Sequence, residues 1–329
     1  MCLHTRRITK RHKRKGVMGN EASADKLEKK YVCTHDRPFA VETETCALAL
    51  PGLETLLNSF SLCKQVPNQP KSRTNHGGDL LQHSMWTALQ VLEWISETPR
   101  LCFIDPNLDV ETAILAALLH DCGKATLDCV HLSDKYEQKG GSAHPIRSGD
   151  YIMNKKPYWL SCQKCGQPVK QIMVGNWIDQ WTNRRKDIAV VSYMHWEFGL
   201  LNSAELTPIN LEIAIENYIE KFVNTCLNLV HIPPTLKLLK LCILVSVADI
   251  AAGRFPRTRL TETSADVLAL CSRTNSKIGN FLCAFIAGYP ESITTKYSDT
   301  DRFLEYKMDK NAMKLYRAVI SVASLLFVP

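Results

Sequence analysis

Apolar residues recur at helical spacing along much of the chain. Leu81, Met85, Ala88, Leu92 and Ile95 follow one another at steps of four and three residues, one stripe of a helix running from Asp79 to about Glu97. Asp79 suits the N-cap of that helix. A second helix is predicted over Asp109–Asp121 and stopped by Gly123; its segment Ala113–Leu119 is apolar without a break, the mark of a helix buried all round. Residues 145–155 read as a third helix behind Pro145, which suits a first turn. Further helices are expected at 188–201, 210–229, 235–252, 275–287 and 300–327. Between them lie a loop at 61–78 with Pro67, Pro70, Gly77 and Gly78, and a polar loop at 133–143 with Gly140 and Gly141. Residues 156–187, with Trp159, Trp177 and Trp181, read as an irregular insert. No alternating strand pattern of useful length, repeat or low-complexity tract is found. The fold class is all-α.

These boundaries suggest a polar leader over 1–30 and an N-terminal extension over 31–74. The main helical domain spans 75–255, interrupted by the 156–187 insert, and a helical extension covers 256–329. Hydrophobic residues at 45% and charged residues at 22% exclude a disordered chain, and 329 residues can bury a large core without staples. Thirteen cysteines are an odd number and are scattered, apart from Cys162-Gln-Lys-Cys165, so they read as reduced thiols of an intracellular protein. The longest apolar runs, 241–250 and 318–329, fall short of the roughly 20 residues that a membrane helix needs.

The net charge of +7 is confined to the leader. Arg6, Arg7, Lys10, Arg11, Lys13, Arg14 and Lys15 stand there without an acid among the first 15 positions, and the remaining chain is neutral. Such a tail suits an import receptor in the nucleus, a nucleic acid or a membrane surface. The neutral body gives no compositional support for a nucleic-acid channel. Location is therefore expected to be cytoplasm or nucleus.

The candidate chemistry lies where helix periodicity asks for an apolar side chain and the chain supplies a polar one. His120 and Asp121 end the apolar second helix. His195 continues the stripe Ile188, Val191, Phe198, and Asp249 continues Leu238, Cys242, Val245. A carboxylate in such surroundings is costly unless it is paired or bound to a cation. One buried histidine alone reads as hydrogen-bonded core. Two carboxylates with several imidazoles in apolar surroundings are what a divalent transition-metal site requires.

His83, the pair His120-Asp121 followed by Cys122-Gly123-Lys124, and the distant Asp249 resemble the H…HD…D signature of the HD-domain superfamily of metal-dependent phosphohydrolases. Leu118-Leu-His-Asp-Cys-Gly-Lys124 is similar to its central motif at every defining position. His144-Pro145 with Ser148-Gly149 resembles the motif that supplies another ligand, and His195 sits where two-metal members carry one more. The 51 residues between His144 and His195 are long for a minimal domain, and the insert accounts for them. The resemblance covers about residues 75–255. It implies an HD-type helical bundle holding one or two metal ions (Mn, Co, Fe, Zn, Ni or Mg) on His83, His120, Asp121, His144, His195 and Asp249. Asp121 would bridge two ions or hold the attacking water. Lys124 would serve catalysis or neutralise phosphate, a role also open to Arg147 and Arg254. The implied activity is hydrolysis of a nucleotide, oligonucleotide or other phosphate ester, monoester or diester. A regulatory or binding module without catalysis, and a di-iron oxygenase like myo-inositol oxygenase, are the competing readings. The 133–143 loop has the length and glycines of a lid. His76 and His131 read as loop residues, and no role is assigned to His4, His12, His35 and His231.

Two further motifs stand outside this set. Cys162-Gln-Lys-Cys165-Gly166 is half of a zinc ribbon, and a structural zinc would need two more ligands, with Cys129 and His131 as one unsupported pairing. Met18-Gly19-Asn-Glu-Ala-Ser23 fits the N-myristoylation pattern if translation starts at Met18. A single acyl chain binds membrane marginally, so Lys26, Lys29 and Lys30 would have to contribute.

Overall fold

The computed structural model describes residues 50, 52–60, 79–96, 105, 107–125, 143–161, 168–203, 208–254, 269–270, 276–289, 293 and 310–327. All belong to one unit, Arg37–Pro329, and 80% of them are helical. In chain order they form α1 (Leu53–Phe60), α2 (Leu80–Ser96), α3 (Val110–Leu119) with a 3-10 turn at Cys122–Lys124, and α4 (Ala143–Ile152). Strands β1 (Tyr158–Ser161) and β2 (Pro168–Ile172) precede α5 (Val174–Trp181). The chain continues with α6 (Arg185–Ser203), α7 (Pro208–Asn224), α8 (Leu236–Arg254), α9 (Lys277–Gly288) and α10 (Lys310–Leu326). A π-helical turn, Thr225–Val230, ends α7, and His231 closes it in the left-handed region at φ 58°.

Helices α6 and α8 pack along each other in the centre; α4 lies against α6, α2 against α8, and α3 against α2 and α6. The expected capping of α2 is present as a reciprocal pair. Asp79 Oδ1 accepts from the Gln82 amide at 2.8 Å, and Gln82 Oε1 accepts from the Asp79 amide at 3.3 Å. In α3 every residue from Ala113 to Leu119 has zero exposure, as the unbroken apolar run requires. Each buried leucine there contributes about 1.5–3 kcal/mol relative to an exposed one. Thr235 caps α8, its Oγ1 accepting from the Leu238 amide at 3.2 Å.

The described part of the insert is regular. Residues 156–187 hold an antiparallel hairpin, with Tyr158 opposite Ile172 and Trp159 opposite Gln171, followed by α5. Tyr158 and Leu160 are buried on one face, and the Tyr158 hydroxyl lies 3.0 Å from Ser59 Oγ of α1. Strands of four and five residues are too short for alternation to show. Helix α1 was also absent from the sequence expectations, although Leu53, Leu56, Leu57 and Phe60 have helical spacing and are buried. No helix among the described residues is long and apolar enough to cross a membrane. The basic leader, the Met18–Ser23 motif, Cys162 and Cys165, Cys129, His131, His76, His4, His12, His35 and residues 133–142 of the polar loop lie outside the described residues.

Candidate metal centre

Five separate segments deliver six side chains to one buried point. His83 comes from the first turn of α2. His120 and Asp121 follow the last residue of α3, His144 starts α4, and His195 and Asp249 lie within α6 and α8. All six are at most 7% exposed. Their ligating atoms form two overlapping groups, each within 4.8 Å: His83, His120, Asp121 and Asp249 in one, Asp121, His144 and His195 in the other. Asp121 belongs to both. Its Oδ2 lies 3.3 Å from the Nε2 atoms of His83 and His120, and its Oδ1 lies 3.2 Å from those of His144 and His195. Asp249 Oδ1 completes the first group, 2.9 Å from His83 Nε2 and 3.5 Å from His120 Nε2.

Backbone geometry makes this convergence. The polypeptide leaves helical conformation at Asp121, φ −107° and ψ 11°, and the 3-10 turn carries it beneath α4. Gly123 is required for that approach. A Cβ on it would stand 2.5 Å from the His144 carbonyl oxygen and 2.6 Å from the Ser148 nitrogen, well inside contact distance. The Gly123 amide donates to Ser148 Oγ at 2.8 Å, locking the turn to α4. Gly149 does the same for the packing of α4 on α6, where a Cβ would run into the Tyr193 ring.

Two imidazoles are oriented by the helix behind them. His120 Nδ1 lies 2.7 Å from the Ala117 carbonyl oxygen and His195 Nδ1 lies 2.8 Å from that of Ser192. A carbonyl only accepts, so each Nδ1 carries the hydrogen and each Nε2 is turned toward the carboxylates as the ligating atom. His120 and His83 meet at 3.3 Å between Nε2 atoms, and His144 and His195 at 3.2 Å.

Opposing charges meet at this point. Burial opposes charge on His120, but Asp121 and Asp249 outweigh it and push its pKa up to about 10. Burial also opposes ionisation of Asp121, yet Lys124, His120 and His144 hold its carboxyl well below the usual range. Asp249 is held well below that range too, its burial outweighed by the His120 and His83 imidazoles. His144 moves the other way, to about 4, because burial and the Lys124 ammonium disfavour its protonation more than Asp121 favours it. Asp121 Oδ1 and Asp249 Oδ1 are buried and receive no hydrogen bond of proper geometry, despite the nitrogens around them. Two such oxygens with four imidazole nitrogens form the borderline-to-hard donor set that divalent transition metals take. The residues fit a metal.

The remaining candidates are placed as follows. Lys124 Nζ lies 2.5 Å from Asp121 Oδ2, with a fifth of its side chain exposed. Arg147 sits on α4 three residues beyond His144, half-buried. Arg254 is the last residue of α8, and its side chain lies outside the described residues. His231 is an exposed cap, its Nδ1 donating to the Leu227 carbonyl. Cys122 is no ligand; burial pushes its thiol up to about 12, and its Sγ points at the Ser148 carbonyl.

Sequence reasoning missed Trp196, half-buried with its ring edge-on to His144 at 5.3 Å between centroids. It also missed the orienting carbonyls of Ala117 and Ser192, although each stands three residues before its histidine, one helical turn away. Comparison of the chain with protein-family models, with curated proteins and with solved structures returns no match.

Proposed function

We propose that this chain is an HD-type metal-dependent phosphohydrolase with a dinuclear centre bridged by Asp121. One observation carries the reading: the two oxygens of a single buried carboxylate face two separate sets of imidazole nitrogens. His83, His120 and Asp249 would hold one ion, and His144 and His195 the other. When bound, such ions lower the pKa of a coordinated water and polarise a phosphoryl oxygen.

The protein's own groups supply the rest. Asp121 and Asp249 provide the fixed negative charge that makes the pocket selective for cations, and the carbonyls of Ala117 and Ser192 keep the imidazoles in register. Lys124, braced by Asp121 and partly exposed, places an ammonium at the edge of the centre, where it offsets the charge of a phosphate ester. Arg147, half-buried on α4, is the second candidate for that task. The enclosing walls of α2, α3 and α6 keep bulk water from the ligands and strengthen every charge interaction inside.

The test is metal analysis of protein purified without air, run beside turnover of phosphate monoesters and diesters with manganese, cobalt, zinc or magnesium. Turnover that chelation abolishes and metal restores supports the hydrolase. Mixed-valent iron with oxygen uptake and no phosphate release replaces it with the oxygenase. Absence of bound metal after loading replaces it with a binding module.

A further inference from the structure

The metal centre is flanked on one side by side chains that the hydrolytic chemistry does not use. Trp196 follows the ligand His195, is half-buried and lies edge-on to His144. One turn further along α6, Gly199 shares the helix face of His195, and Leu200, 48% exposed, shares that of Trp196. From α8, Ile250 follows the candidate ligand Asp249 and is half-buried near Gly199. A Cβ on Gly199 would meet nothing within 4 Å except Ile250, at 3.6 Å from Cδ1. A side chain there would rest in ordinary contact with Ile250, in contrast to Gly123 and Gly149, where a Cβ would run into the neighbouring helix. An aromatic ring and an isoleucine thus stand next in sequence to, or in contact with, the candidate ligands His144, His195 and Asp249, with a glycine one turn from His195.

We infer that Trp196, Gly199 and Ile250 form a specificity shelf that receives a planar ring of the substrate and selects ring-bearing phosphate esters over aliphatic ones. The inference rests on the hydrolase reading above and adds the side of the centre on which the organic portion of the ester lies. Three features support it. The indole offers a π-surface, which stacks on any flat ring irrespective of its hydrogen-bonding edge. Gly199 lets such a ring approach the α6 backbone, which any larger residue would prevent. The shelf carries no charge, whereas Lys124 stands beside Asp121, so phosphate and ring are sorted to different surroundings.

The experiment compares AMP with ribose 5-phosphate, which share the phosphate and the sugar and differ by the ring. Full-length, metal-loaded protein is assayed as wild type, Trp196→Ala, Trp196→Phe and Gly199→Leu. Gly199→Leu adds a better helix former where a Cβ meets nothing closer than 3.6 Å, and is expected to fold. Trp196→Ala is expected to lose roughly ten- to hundredfold in kcat/KM for AMP, the range a lost stacking contact brings. Ribose 5-phosphate should change less than about twofold, Trp196→Phe should retain most AMP turnover, and Gly199→Leu should reproduce the AMP loss with metal content intact. Equal losses on both esters would overturn the shelf and reduce Trp196 to a support for His144. If the wild type hydrolyses neither ester, the hydrolase reading is decided by the diester assays above, and calorimetric binding of the same two compounds decides the shelf. Tighter binding of AMP that Gly199→Leu removes sustains it, and equal binding of the two overturns it.

Discussion

His144 Nε2 and His195 Nε2 stand 3.2 Å apart, and each lies 3.2 Å from the same oxygen, Asp121 Oδ1. One proton cannot serve all three atoms, whereas together they would hold a divalent ion. Removing one imidazole should cost this ion and leave its neighbour. His195→Ala is expected to bind one metal ion fewer per chain, measured by elemental analysis after dialysis. Asp121→Ala, which strips a ligand from both groups, should lose metal and turnover together. A wild-type content of one ion, unchanged in His195→Ala, would make His195 a core residue.

The metal-free protein should be most stable near pH 6.5. His144 is depressed to about 4, so between pH 6.5 and 4 the unfolded chain takes up a proton that the folded chain refuses, and stability falls with pH. Below the usual carboxylate range Asp121 and Asp249 add to that loss, since both are held well below it. His120 acts oppositely. Raised to about 10, it contributes stability that is complete below pH 6.5 and disappears as pH climbs toward 10. Thermal melts of chelator-treated protein from pH 4 to 10 should therefore trace a maximum. Metal loading should flatten the alkaline side, because a bound ion replaces the His120 proton. A melt that rises steadily to pH 10 without metal would contradict the assigned charge state.

The centre was legible because its residues break a periodic pattern. His195 and Asp249 occupy stripe positions in α6 and α8 that packing reserves for apolar side chains, and His120-Asp121 ends a run with no polar residue. Polar residues that interrupt an apolar stripe announce themselves in this way. The hairpin did not, since Tyr158, Leu160 and Ile172 offer too few alternations to exclude a helix. Trp196 breaks no pattern, since a tryptophan in a helix commonly packs in a core, and only its partly exposed placement against His144 sets it apart. Contacts between distant segments, such as Glu111 with the start of α9, leave no local trace at all.

Gly123→Ala should damage fold and site together. The added methyl would sit 2.5 Å from the His144 carbonyl and 2.8 Å from Ser148 Oγ, so the 3-10 turn must move away from α4. Overpacking of this kind costs about 1–3 kcal/mol. The movement separates Asp121 from His144, so metal affinity should fall as well. Urea unfolding with and without metal checks both effects. A variant with unchanged stability would show that the two segments are less tightly joined than their distances indicate.

Glu111→Ala should do the reverse, weakening the fold while leaving the metal centre intact. The Glu111 carboxylate, in the first turn of α3, accepts from the amides of Lys277 and Ile278 at 2.5 and 2.9 Å. Ser276 Oγ accepts from the Gly279 amide at 2.7 Å, so three successive amide groups at the start of α9 are satisfied by two side chains. The negative charge also faces the positive end of the α9 dipole. Alanine leaves two of those amides without an acceptor. Ile278 is buried, so water cannot fully replace the bond, and a loss of about 1–2 kcal/mol is expected. For a body of this size that is a drop of roughly 2–8 °C in the melting temperature. Glu111→Gln keeps an acceptor but no charge and should fall between. Metal content should not change in either variant, because the candidate ligands His120 and Asp121 lie at the other end of α3, beyond Leu119. Calorimetry and elemental analysis on the same samples test this, and loss of metal in Glu111→Ala would mean that α9 holds the centre in place through α3.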